Sequence, residues 1–106
     1  MSDIVIENMT PGAMERTGLG FEALRRVNPR LVMLAMTGAG QFGPRADMRT
    51  YAPVMSSFVG MENLVGYRNA EPVGALNFGL GDPNAAAHAL LALFAALIRW
   101  RHRVLH

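Results

Sequence analysis

The 106-residue sequence contains no cysteine and no lysine. Lack of cysteine excludes disulfides, CxxC redox chemistry and thiolate metal sites. Lack of lysine puts all the positive charge on ten arginines, which stay protonated at any physiological pH. Charged residues make up only 17% of the chain against 51% hydrophobic, which excludes a disordered chain and leans towards burial. The net charge is just +2. Arg99, Arg101 and Arg103 form one local basic cluster around Trp100. A nucleic-acid footprint needs a larger cluster with aromatic interleaving, so no nucleic-acid partner is expected. The N-terminus places Asp3 and Glu7 where a secretory signal would be basic, so a cytoplasmic location is expected. The apolar run after Pro83 reaches Arg99 in about fourteen residues and contains His88. A membrane span needs roughly 20, so a buried core helix is the reading and no membrane partner is expected.

The segments present are those of an α/β domain. Ile4, Val5 and Ile6 are consecutive β-branched residues, so Asp3–Glu7 reads as a strand covered on both faces. Thr10 is a candidate N-cap with Pro11 at the first helical position, opening a turn of helix that stops at Gly18. A second helix is expected from Phe21 to Val27, ended by Asn28-Pro29 because the residue before proline avoids the helical region. Leu31–Met36 is a second apolar run and reads as a buried strand. Strand, helices and strand within about thirty residues make a βαβ unit with parallel strands. Thr37 to Gly81 is turn-rich, with a helix expected at Val54–Val59. A long helix then begins at Asp82, runs to about Arg103 and is apolar around most of its circumference, so it is expected to be buried. The fold class expected is α/β: a partial Rossmann-like parallel sheet, an irregular loop region and a long buried C-terminal helix.

Ligands of open α/β sheets sit beyond the carboxyl ends of the strands, here Glu7-Asn8 and Thr37-Gly38. Asn8 is a turn former or a ligand contact. Arg16, on the Pro11 helix, is a surface residue or a phosphate contact. Tyr51 is a loop anchor or a site residue. Asp82 followed by Pro83 is a helix cap worth roughly 1 kcal/mol, or a carboxylate held ionised by the helix N-terminus for nucleophilic attack. His88 reads as a packed or polar-contact residue. His88 and His102 lie about 21 Å apart on one helix, and with His106 they make no metal site.

The ordered pieces Val5-Ile6-Glu7-Asn8, Pro11-Gly12-Ala13-Met14-Glu15-Arg16 and Leu19-Gly20-Phe21-Glu22-Ala23-Leu24 are followed by Asn28-Pro29-Arg30-Leu31-Val32. Then come Gly38-x-Gly40-Gln41-x-Gly43-Pro44, Gly60-x-x-x-Leu64-x-Gly66-Tyr67 and Gly81-Asp82-Pro83, with its helix through Ala95-Ala96-Leu97-x-x-Trp100. Together they resemble the family III CoA-transferases, the CaiB–BaiF family. The resemblance implies that Asp82 is the nucleophile. It would attack an acyl-CoA donor, pass through a mixed anhydride to an aspartyl-CoA thioester, and hand CoA to an acceptor carboxylic acid. It also implies that Asn8, Ala13 and Arg16 line the CoA site, Arg16 near phosphate, and that Arg49 and Tyr51 approach the cofactor from the loop. Arg49 stands where relatives can carry lysine, and Ala86 replaces a glycine common shortly after the aspartate.

Members of that family are several times longer. The expectation is therefore one partial domain over residues 1–106, a truncated piece of the large CoA-transferase domain that acts in acyl-CoA metabolism. Such a piece is expected to need a homo-oligomer or a companion segment and to be inactive alone. The alternative is a non-catalytic remnant or a partner-dependent subunit. One further expectation is geometric: Asn8, Arg16 and Asp82 should face one cleft.

Overall fold

The computed structural model describes residues 2–74 and 79–104; of Arg103 and Val104 only the backbone is described. Strand β1 (Ile4–Glu7) is followed by helices α1 (Ala13–Arg16) and α2 (Phe21–Val27), then by strand β2 (Val32–Ala35). Helix α3 (Ala52–Phe58), a short 3-10 turn (Met61–Asn63) and helix α4 (Gly81–Val104) complete the order. His106 lies outside the described residues.

The two strands are parallel, with Ile4 opposite Val32 and Glu7 opposite Ala35. Backbone bonds from Val32 N to Asp3 O and from Met36 N to Glu7 O, both 2.9 Å, extend the ladder one residue at each end. The unit is stapled by Asn28, whose 8% exposure makes it the most buried polar residue described. Its Nδ2 donates to the Ser2 carbonyl (3.0 Å) and towards Asp3 Oδ1 (3.4 Å), while its Oδ1 accepts from Arg30 N (3.1 Å). Asn28 itself is extended, as a residue before proline should be. It thus ends α2 and ties the start of β1 to the turn entering β2.

Two local expectations are corrected. Helix α1 begins at Ala13 rather than Pro11, and its cap is Gly12 at φ +73°, not Thr10. Ala13 N bonds back to Thr10 O at 3.0 Å, so Thr10–Ala13 is a turn, and a left-handed residue inside it cannot continue a helix. At the other end, α4 opens at Gly81, which puts Asp82 in its first turn and not at the cap.

The larger correction concerns burial. Leu93 is the one apolar residue described that is buried, and the accessible surface is 8390 Å². A folded monomer of 11.5 kDa exposes about 5,800 Å² by the usual size scaling. The radius of gyration, 17.9 Å, likewise exceeds the roughly 13 Å of a compact domain this size. Helix α4 rests on β2 and α3 through one side only. Ala89, Leu93, Ala96, Leu97 and Trp100 face inward, whereas Leu90, Leu91, Phe94 and Ile98 lie open. By length and composition alone Gly81–His102 is apolar enough to cross a membrane, with a mean hydropathy of 1.3. Strand β1 is similarly half bare, with Ile4 and Ile6 exposed. The strands and the helix form where the sequence puts them, but the elements that would cover them are not among those described.

Candidate active site

Parallel pairing brings the carboxyl ends of both strands to one edge of the sheet, and a cleft of about 1040 Å³ opens there. Asn8 and Met9 enter it from the end of β1, and Met36, Thr37 and Gly38 from the end of β2. Arg49, Tyr51 and Ala52 supply a second wall, and the first turns of α4 supply the third through Gly81, Asp82, Ala85 and His88. The helical spacing explains that third wall, since Gly81, Ala85 and His88 fall on one face at i, i+4 and i+7.

A close approach holds two of these walls together. A Cβ placed on Gly38 would fall 2.1 Å from Thr50 Oγ1, so the turn after β2 and the segment entering α3 touch only because residue 38 has no side chain. Asp82 and the start of α3 flank Gly79. Its Oδ2 and the Ala52 Cβ lie 3.7 Å and 3.5 Å from the point where a Cβ on Gly79 would be. Among the described residues Asp82 has no hydrogen-bond partner, and it lies in the first turn of the 24-residue helix α4. His88 Nδ1 donates to the Asn84 carbonyl at 2.9 Å.

Four of the six residues singled out from the sequence, Asn8, Arg49, Tyr51 and Asp82, share this cleft. Ala13 and Arg16 do not line it. The Arg16 guanidinium folds back to the Pro11 carbonyl at 3.3 Å and lies against Gly12, so the common cleft expected for Asn8, Arg16 and Asp82 holds only for the first and last. Tyr51 both lines the cleft and precedes α3 as its cap, accepting from Met55 N at 3.0 Å. Ala86 lies on the cleft wall where the family resemblance expects glycine.

Sequence reasoning passed over three features. Glu7 organises the rim, accepting from Met9 N (2.6 Å) and from Gln41 Nε2 (3.3 Å). Ser56, on the cleft wall, bonds the Glu62 carboxylate and so ties α3 to the following 3-10 turn. Thr37 Oγ1 is buried without a partner among the described residues. No group of three or more metal-ligating side chains occurs among the described residues.

The sequence model described as CoA-transferase family III matches residues 1–103. The chain belongs to this family. The succinyl-CoA–L-malate CoA-transferase beta subunit of Chloroflexus aurantiacus is 36% identical over 102 residues, which are 96% of this chain and 24% of that protein. The formyl-CoA:oxalate CoA-transferase of Streptomyces avermitilis is 33% identical over 96 residues, 91% of this chain and 23% of that one. Among solved structures, a CaiB/BaiF family protein from Brucella suis superposes with a TM-score of 0.84 at 31% identity, covering 97% of this chain and 27% of its own. The hypothetical protein Rv3272 of Mycobacterium tuberculosis gives 0.82 at 31% identity, with 96% and 28% coverage. The chain therefore spans about a quarter of the length of the relatives it matches, and over that quarter it carries the family III fold.

Proposed function

We propose that this chain provides the nucleophile and part of the CoA site of an enzyme that moves CoA from an acyl-CoA donor to a carboxylic acid. The observation carrying this reading is the position of Asp82, on the first turn of α4, in the cleft that also holds Asn8, Arg49 and Tyr51. An Asp82 oxygen attacks the thioester carbonyl, the C–S bond breaks and CoA leaves as thiolate, giving a mixed anhydride. The thiolate returns to the aspartyl carbonyl and expels the donor acid, leaving an aspartyl-CoA thioester. The acceptor carboxylate attacks that carbonyl and releases the thiolate again. The thiolate then takes the acceptor's carbonyl, forming the new acyl-CoA and restoring the Asp82 carboxylate. Arg49 and Tyr51 approach CoA from the loop, and Asn8 lines its site. Arg16 joins them by swinging from the Pro11 carbonyl, and Ala13 packs behind.

In this reading the chain is one partial domain of a cytoplasmic enzyme of acyl-CoA metabolism, and it does not turn over alone. Holding donor and nucleophile at attack distance supplies roughly 7–11 kcal/mol of barrier lowering, and here the cleft is open and α4 bare on one side. A companion segment carrying the rest of the family III architecture covers the stripe Leu90, Leu91, Phe94 and Ile98. The excess of accessible surface and the quarter-length match both support a cover made of protein. A second copy of the chain is the alternative occupant.

The test is intact-mass measurement after incubation with acyl-CoA donors, for the chain alone and mixed with a full-length relative. The expected result is no CoA-sized adduct alone and an adduct on this chain in the mixture, absent in Asp82→Ala. An adduct that survives Asp82→Ala refutes the nucleophile, and full labelling of the chain alone refutes the need for a companion. Sedimentation with and without lipid vesicles separates the protein cover from a bilayer, which would bind α4 in preference to the relative.

A further inference from the structure

The loop between β2 and α3 runs from Gly38 to Thr50 and closes on itself. Its ends meet, because a Cβ on Gly38 would fall 2.1 Å from Thr50 Oγ1. Within it, Ala46 N bonds to Gly43 O at 3.2 Å and Met48 N to Arg45 O at 2.9 Å. These features make it an Ω-loop, a compact excursion with adjacent ends. One side of it, through Gly38, Ala46, Met48, Arg49 and Thr50, lines the Asp82 cleft.

Side-chain contacts tie this loop to other elements. The Arg45 guanidinium lies 4.7 Å from the centre of the Phe58 ring, at the end of α3. Both residues are exposed, so that contact is weak. Gln41 Nε2 donates to Glu7 Oε1 at 3.3 Å, between two half-buried residues. A carboxylate is the stronger kind of acceptor. Glu7 is a firm anchor, since it ends β1 and its carbonyl takes the Met36 N–H at 2.9 Å.

The same carboxylate reaches the opposite wall of the cleft. Glu7 Oε2 accepts from Met9 N at 2.6 Å, which closes a turn around Asn8. Neither Glu7 nor Gln41 lines the cleft. One carboxylate behind the lining thus joins the turn that presents Asn8 to the loop that presents Arg49.

Resting on the CoA-transferase reading above, we infer that Glu7 and Gln41 are positioning residues of the CoA site. Their hydrogen bond holds the loop down on the end of β1 and sets the spacing between Asn8 and Arg49. Neither side chain touches CoA. Breaking the bond lets the loop lift, and CoA then binds only the fraction of molecules in which the loop is down.

The experiment measures the CoA affinity of the full 106-residue chain by calorimetry, with the folding of each variant checked by urea titration. Gln41→Ala removes the latch and leaves β1 and the Asn8 turn intact. It should weaken CoA binding by about tenfold, the scale of one hydrogen bond to a charged group. Gln41→Glu sets two carboxylates against each other and should weaken binding at least as much. Glu7→Gln should bind CoA nearly as the unmodified chain does. Its amide oxygen still serves Met9 N, and its Nε2 donates to a turned-over Gln41 amide. The exchange, Glu7→Gln together with Gln41→Glu, rebuilds the bond in reverse. It should recover most of the affinity lost in Gln41→Glu alone. A purely structural role would move the urea midpoint and leave the CoA affinity of the folded variants unchanged. That result overturns the inference while the CoA reading stands. A loss in Gln41→Glu that the exchange fails to recover also overturns it. If the unmodified chain binds no CoA, the CoA reading fails first and the inference with it.

Discussion

Leu93 is 8% exposed, and Leu91, two residues earlier on the same helix, is 69% exposed. The inner side of α4 meets β2 and α3, and the outer side meets nothing that is described. Both sides are made of the same residue types. Hydrophobicity along the chain therefore says that a surface is to be covered and does not say by what. The inner face is an internal fold contact. The outer face, on the proposed reading, is an interface that stability of the isolated chain does not use.

Four substitutions sharpen that contrast. The largest effect is expected at Leu93. Leu93→Ala removes the buried apolar anchor of the inner face and should cost about 2–5 kcal/mol of unfolding free energy, measured by urea titration with circular dichroism. Gly38→Ala should cost about 1–3 kcal/mol by overpacking, because the new methyl meets Thr50 at 2.1 Å. Thr50→Gly in the same background, which removes both Oγ1 and Cβ, should recover part of that loss, whereas the two changes should simply add if the contact is not the cause. Asn28→Ala leaves the Ser2 carbonyl and Arg30 N without their side-chain partner and should cost about 1–2 kcal/mol. The smallest effect is expected at Leu91→Ala, within about 0.5 kcal/mol as for other surface changes. Equal losses at Leu91 and Leu93 would erase the distinction between the two faces.

Much of the fold was legible in the sequence for reasons these residues make plain. The β-branched run Ile4-Val5-Ile6 and the run before Thr37 became paired parallel strands. Asn28-Pro29 ended α2, and the Ala/Leu series after Pro83 became α4. What was missed is tertiary. The Thr10-Pro11 signal for a helix start lost to a turn closed by Gly12. The burial of α4 and β1 could not be read because it depends on neighbours, and apolar composition is the same whether the cover is in the chain or outside it. At the site, Asn8, Arg49, Tyr51 and Asp82 converge because parallel strands end at one edge. Arg16, one turn along α1, is drawn to the nearby Pro11 carbonyl instead.

The central claim is that Asp82 becomes a CoA-carrying nucleophile once the missing walls are supplied. The direct measurement replaces the matched quarter of the Brucella suis protein with this chain, 97% of which superposes on it at a TM-score of 0.84. The folded chimera is incubated with a panel of acyl-CoA donors, trapped with hydroxylamine and mapped by peptide mass. The account predicts a hydroxamate on Asp82, and loss of both trapping and CoA transfer, by on the order of a thousandfold or more, in Asp82→Ala. A folded chimera that transfers CoA with Asp82 replaced, or that is trapped at another residue, would contradict it.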